Sequence, residues 1–286
     1  MLLYIEPVPA FLKLQARSDL WTTLITNTEY LSGLLTLDYS LKKSGSKYPL
    51  VALYTDTFPE EGHKALDAPG ILKQRAFTND PRFYDCWSKL TPFSLVEYER
   101  VVQLDSDMLV LQNMDELMEL NLDPPSQNGE GNRDPQKLCL YNPALQSRSG
   151  ANHRRPLGYS PGNPNGGLQV VNPSKGVYDK IIAQLAKADT SSYDFADQSL
   201  LGDLFHGRSG RASTLRWEGV HDAIWRDDRV KNVHYILSPK PWTDGSRVRL
   251  LGVRRKETKD PAHKWWHSVN EERLEAEERA GLRDGF

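Results

Sequence analysis

Short apolar runs of strand length alternate with stretches of helical period through the first 120 residues, and that alternation confines the chain to an α/β layer fold. Residues 21–26, 49–54, 101–104 and 108–111 are the apolar runs. Between them, residues 29–43 set Leu31, Leu34, Leu35, Tyr39 and Leu41 mostly on one side of a helix. Thr57, Pro59 and Glu60 supply a second helix start. Residues 89–99 and 115–120 read as further helical segments. Strands alternating with helices in this way predict a mostly parallel central sheet flanked by helices. Further on, residues 167–171 and 233–237 read as strands. Residues 174–187 read as a helix capped by Ser174, 195–205 as another, and 270–280 as a charged C-terminal helix. Residues 121–165 differ, with seven prolines and one strand-like stretch at 137–141. A loop that long inside a compact domain is functional or disordered.

No repeat or linker divides the 286 residues. They are read as one domain, with residues 21–120 forming a nucleotide-binding α/β half and 121–286 a mixed second half. The net charge of −2, from 36 basic and 38 acidic residues, argues against a nucleic-acid binder or a polybasic membrane anchor. No apolar run approaches the roughly 20 residues of a membrane helix. Residues 1–15 lack a basic start and carry Glu6, Pro7 and Pro9, which reads poorly as a signal peptide. Two cysteines, Cys86 and Cys139, make neither a disulfide framework nor, alone, a zinc site. With no Asn-x-Ser/Thr acceptor present, a reducing, cytoplasmic setting is expected.

Chemistry concentrates in two places. The apolar run 101–104 delivers Asp105 and Asp107 to its C-terminal end, where α/β sheets bind ligands. Two carboxylates flanking one residue can share a divalent cation, which in turn can hold a diphosphate. The plain alternative is a turn after a strand, since Asp and Ser both favour turns. A phosphatase of the haloacid dehalogenase type would use Asp105 as nucleophile, but such motifs usually follow the first strand of the chain. The second place is residues 233–242, where His234 is a candidate third ligand. An imidazole beside two carboxylates shifts preference from Mg²⁺ toward Mn²⁺. Lys240, set between Pro239 and Pro241, can offer a point charge to a phosphate. A lone histidine in a strand is otherwise an ordinary core residue.

Asp105-Ser106-Asp107, followed at a distance by His234, Lys240, Pro241 and Trp242, resembles the glycogenin-like nucleotide-sugar transferases of glycosyltransferase family 8, including galactinol-synthase-like members. The resemblance covers most of the chain and implies a GT-A type fold. It further implies a retaining transferase that moves a hexosyl group from a UDP-sugar to a hydroxyl acceptor with Mn²⁺ on Asp105, Asp107 and His234. By the same likeness Leu24, Thr26, Asn27 and Tyr30 would contact the uridine, Lys89 and Ser106 the nucleotide, and Lys240 the diphosphate. Asn165, Gly166 and Gly167 would face the donor sugar, and Asp197 and Gln198 its reacting centre. Leu237 stands where the family has glycine. Only 35 residues separate Gln198 from His234, with no tyrosine in the trimmed stretch 208–213. That argues against a self-glucosylating glycogenin and for a free small-molecule or glycan acceptor. An N-acetylglucosaminyltransferase, a phosphatase and a non-catalytic nucleotide-sugar binder are the alternatives. The expected partners are donor and acceptor, without nucleic acid or membrane, and a homodimer is compatible with all of this.

Overall fold

The computed structural model describes residues 19–76, 85–120, 166–188, 193, 196–205, 228, 230–244 and 261–286. The loop 121–165 with its strand-like stretch 137–141, the segment 208–213 and residues 1–15 lie outside them, as do Cys139 and Asn165.

Among the described residues seven strands form two sheets. β1 (Leu20–Ile25), β2 (Leu50–Tyr54), β3 (Leu72–Arg75), β4 (Val101–Leu104) and β6 (Leu168–Val171) make the larger, in the order β3-β2-β1-β4-β6. β5 (Met108–Val110) and β7 (Asn232–His234) make the smaller. β1 to β4 are mutually parallel, and β6 runs antiparallel to β4. The expected mostly parallel sheet is therefore found. β3 was not foreseen, because Leu-Lys-Gln-Arg lacks an apolar run; it lies at a sheet edge, where one side needs no burial.

Five α-helices accompany the strands among the described residues: α1 (Leu31–Lys43), α2 (Glu60–Asp67), α3 (Lys175–Leu185), α4 (Ala196–Phe205) and α5 (Pro261–Ala280). On one sheet face Trp21, Val102, Leu104, Leu168 and Val170 pack with Leu37 and Leu41 of α1 and with Met108 and Val110 of β5. On the other, Val171 packs with Leu90, Phe93 and the apolar stripes of α3 and α4. A burial of this kind is worth about 25 cal/mol per Å² of apolar surface, enough to fix which ends of the strands are left open. α5 covers the small sheet through Leu109, Val233, Ala262, Trp266 and Val269.

Several sequence expectations shift by local chemistry. Residues 89–99 form no α-helix; a 3-10 segment spans Asp85–Ser94, with Pro92 inside it. Pro92 lacks the N–H that an α-helix interior needs. The segment 115–120 is reduced to a 3-10 turn at Asp115–Leu117. The strand expected at 233–237 is Asn232–His234, and the C-terminal helix begins at Pro261 rather than 270. Ser174 occupies the N-cap of α3 in extended conformation, but its side chain makes no capping hydrogen bond.

The C-terminal residues are tied onto α5 by the buried Arg273, which donates to Glu277, Asp284 and the Phe286 carbonyl. Burial, with Asp284 close by, pushes the Glu277 carboxyl up to about 7 even though Arg273 opposes the shift. The unfolded carboxyl ionises near 4.5. Between these values the unfolded state has already lost a proton that the folded state still holds. Stability is therefore expected to fall as pH rises from about 4.5 to about 7. Urea denaturation across that window should show the slope, and Glu277→Gln should flatten it.

Candidate active site

The chain order of the main sheet places the site. From β1 the chain moves outward to β2 and β3, then returns to lay β4 on the other side of β1. The C-terminal ends of β1 and β4 therefore border a crevice where strand order reverses, the place ligands occupy in open α/β sheets. Residues 25–30 and Asp105 to Asp107 follow those two strand ends.

Asp105 turns the chain out of the main sheet. Its N–H is fixed by the Gly167 carbonyl at 2.9 Å, and its own carbonyl accepts from Met108 at 3.1 Å. The chain then runs directly into β5, whose partner β7 is antiparallel with Met108 opposite His234. Tyr235 N–H closes the pair on the Asp107 carbonyl at 2.9 Å. This register carries His234 across 127 residues of sequence to the carboxylates. Its Nε2 lies 3.0 Å from Asp107 Oδ1 and 3.5 Å from Asp105 Oδ2.

One ligand atom from each of Asp105, Asp107 and His234 lies within 4.8 Å of the others. Two bonds of about 2.1–2.4 Å meeting at one ion span nearly that distance. The donor set of two carboxylates and an imidazole fits a divalent metal, and among the described residues it is the one such cluster. Burial disfavours the Asp107 charge, but the hydrogen bond and charge of His234, then Lys240, hold its carboxyl well below the usual range.

Two lysines flank the carboxylates. Lys89 Nζ reaches both Asp105 oxygens, at 2.8 and 3.0 Å. Burial works against its charge, yet Asp105, Asp197 and Asp107 together raise its ammonium above the ordinary lysine range. Lys240 Nζ lies 2.7 Å from Asp107 Oδ2 and donates to the carbonyls of Tyr235 and Ile236. It also sits 5.7 Å from the centre of the Tyr30 ring.

Asp197 lies in the first turn of α4, buried beside this cluster. Its Oδ2 is buried without a hydrogen-bond partner among the described residues. Burial raises its pKa; Lys89 lowers it, and Asp105 raises it again. A buried, unmatched acceptor of this kind is costly unless a donor arrives. Gly166 and Gly167 make the arrangement possible. A Cβ at Gly166 would come within 2.6 Å of Asp197 Oδ2, and one at Gly167 within 2.5 Å of the His234 ring. Gln198 borders Gly166 from the same helix.

The remaining expected contacts sit around the crevice in different ways. Asn27 is exposed and caps the 3-10 turn Thr28–Tyr30 by accepting from the Glu29 N–H at 3.0 Å. Thr26 receives a 3.4 Å contact from the Asn27 amide. Leu24 is partly buried and packs against an apolar cluster with Leu20, Leu53 and Val101. Ser106 is buried, with its carbonyl against α1.

Gly33 and Trp242 were not recognised as neighbours from sequence. Trp242 donates from Nε1 to the Glu29 carbonyl at 2.8 Å and packs edge-on against Tyr30. A Cβ on Gly33 would meet the Ser106 carbonyl at 2.5 Å and the Trp242 ring at 2.7 Å. The glycine inside the helical pattern was the available clue, since glycine costs about 1 kcal/mol there and needs a packing reason. Gly33→Ala is expected to destabilise the fold by about 1–3 kcal/mol. It should also weaken divalent-metal binding, because the backbone between Asp105 and Asp107 must move. Thermal melts and metal titration read the two effects.

No family model matches the chain. It is 26% identical to galactinol synthase 7 of Arabidopsis thaliana over 89% of this chain and 82% of the other. With galactinol synthase 1 of Ajuga reptans it shares 27% identity over 95% and 88%. The inositol phosphorylceramide glucuronosyltransferase 1 of Arabidopsis thaliana is 25% identical over 65% of this chain and 30% of its own. Galactinol synthases and other family 8 glycosyltransferases are thus relatives at about 25% identity. Among solved structures, the glycosyltransferase GlyE of Streptococcus pneumoniae superposes with a TM-score of 0.56 at 16% identity, covering 93% of this chain. This chain spans 64% of GlyE's length. The galactosyltransferase LgtC, solved with donor and acceptor sugar analogues, gives 0.54 at 15% identity, covering 89% of this chain and 96% of its own. The fold is the GT-A glycosyltransferase fold, as the sequence led us to expect.

Proposed function

We propose that the protein is a retaining glycosyltransferase that moves a hexosyl group from a UDP-sugar to a hydroxyl of a small-molecule or glycan acceptor, assisted by Mn²⁺. The observation that carries the reading is the convergence of Asp105, Asp107 and His234 between two lysines at the reversal point of the sheet. The family relationship of the chain supports it.

In this reading Asp105, Asp107 and His234 hold the ion, and the imidazole favours Mn²⁺ over Mg²⁺. Bound there, the ion supplies positive charge to the diphosphate as the bond to the sugar breaks. Lys240 swings from Asp107 to the departing diphosphate and neutralises charge growing on its oxygens. Tyr30, Asn27 and Thr26, at the end of β1, border the nucleoside. The free oxygen of Asp197 accepts a hydrogen bond from a sugar hydroxyl, which ends its unmatched burial. Gly166 and Gly167 let the sugar approach that carboxylate, and Gln198 borders the reacting face; Asn165 is proposed to join them. Lys89 holds Asp105 in alignment through contacts to both of its oxygens. With this reading we propose a single domain divided into a nucleotide half, 21–120, and an acceptor and sugar half, 121–286. No helix among the described residues is long and apolar enough to cross a membrane.

A phosphatase using Asp105 as nucleophile is disfavoured because Asp105 follows β4 rather than the first strand, and because the relatives of the chain are named glycosyltransferases. The test is a panel of UDP-sugars with Mn²⁺, reading UDP released by slow hydrolysis in the absence of acceptor. Release from one or a few UDP-sugars, abolished by chelation, is expected. Release of phosphate from simple esters without any reaction of UDP-sugars would overturn the assignment.

A further inference from the structure

The lysine assigned to the diphosphate stands on a segment with little packing of its own. Ile236 and Leu237, which lead up to it, are 44% and 40% exposed. Lys240 is instead placed by what holds the ends of the segment. At the near end, Tyr235 donates its N–H to Asp107 and its hydroxyl to the Ala262 carbonyl at 2.7 Å. At the far end stands Asp244, its side chain 7% exposed, with Oδ2 2.7 Å from His263 Nδ1. His267 Nε2 lies 3.4 Å from the same carboxylate. His263 and His267 are one turn apart on α5, so a single carboxylate meets both.

Between Lys240 and Asp244 lies one 3-10 turn, Pro241–Thr243, closed by Thr243 N–H on the Lys240 carbonyl at 2.9 Å. Pro241 fixes its first φ angle. Such a turn transmits the position of one end to the other. Trp242, in the middle of it, lies 5.6 Å from Trp266, the residue just before His267. Both ends of the lysine segment are thus fastened to the first two turns of α5. That helix is itself tied to α1 through Asn270 and Thr36 at 2.9 Å.

From these contacts we infer that Asp244, through His263 and His267, is a positioning residue for Lys240, setting the reach of its ammonium toward the diphosphate. This rests on the assignment of Lys240 made above. A buried polar cluster contributes little net stability compared with apolar packing, and its most plain use is to specify one arrangement. With Asp244 loosened, the 3-10 turn pivots and Lys240 loses its alignment, although Lys240 itself is unchanged.

A double-mutant cycle on UDP affinity in the presence of Mn²⁺, measured by calorimetry on the full chain, tests this. Asp244→Asn is expected to weaken UDP binding about tenfold when Lys240 is present, and by less than about twofold in a Lys240→Met background. His267→Gln serves as the second variant if Asp244→Asn melts early, with the same pattern expected. Equal losses in both backgrounds would mean a general structural role, and no loss in either would mean no role; both overturn the inference. If the unaltered protein fails to bind UDP with Mn²⁺, the proposed function falls first and takes this inference with it. The unaltered protein alone reports that failure, so the two are separable.

Discussion

Asp107→Asn is expected to lower sugar transfer by at least about 10²–10³-fold while the protein stays folded. The asparagine oxygen keeps the shape of the site and one acceptor for His234 or Lys240. It removes the negative charge that both of those groups face at 3.0 and 2.7 Å. The fold loses about 1–3 kcal/mol, the usual cost of disturbing a buried, charge-assisted hydrogen bond. The main sheet does not depend on it, because β4 is held by the backbone ladders to β1 and β6. Mn²⁺ titration followed by a rate measurement separates the two effects. A variant that keeps its Mn²⁺ affinity and full transfer would show that the ion is held elsewhere.

Lys89→Met is the second large effect, and its sign depends on the metal. Lys89 is the cation shared by Asp105 and Asp197, and removing it leaves two neighbouring carboxylates facing each other. Without metal the variant is expected to lose about 2–3 kcal/mol of unfolding free energy, reduced from the fully buried case because the pair keeps some solvent contact. With saturating Mn²⁺ the gap should narrow, since a divalent ion on Asp105 replaces the lost positive charge. Denaturant unfolding with chelator and with Mn²⁺ reads the difference directly. A loss of equal size in both conditions would place Lys89 outside the electrostatic field of the metal site.

The site residues differ in how far they could be read from the chain alone. Asp105 and Asp107 were legible because two carboxylates closing an apolar strand form a local pattern, and strand ends are where α/β sheets present such groups. Lys240 was legible through its two flanking prolines. His234 was readable as a candidate ligand, but a single histidine in a strand is otherwise an ordinary core residue, and the family resemblance tipped the balance. Leu24 came from resemblance alone, and in the structure it lies partly buried against the apolar cluster of Leu20, Leu53 and Val101. Lys89 was assigned to the nucleotide from a short motif, whereas its observed partner is Asp105. The helix anticipated at 89–99 failed on Pro92, which a period count does not weigh. Gly33 passed unnoticed because a glycine in a helix announces a close neighbour without naming it.

The sequence by itself determined the alternation of strands and helices, the parallel character of β1, β2 and β4, and the placing of two aspartates at a strand end. Each depends on neighbours a few residues apart, which periodicity and turn chemistry record. Only the tertiary structure decided that β5 leaves the main sheet to pair with β7, and that this register sets His234 against Asp107. It alone decided that Asp197 lies buried beside Lys89, and that α5 holds the lysine segment by both ends. Those contacts join residues separated by many tens of positions, and they exist because separate apolar faces are buried against one another. Such burial is non-directional in the sequence and becomes a distance only when the chain has packed.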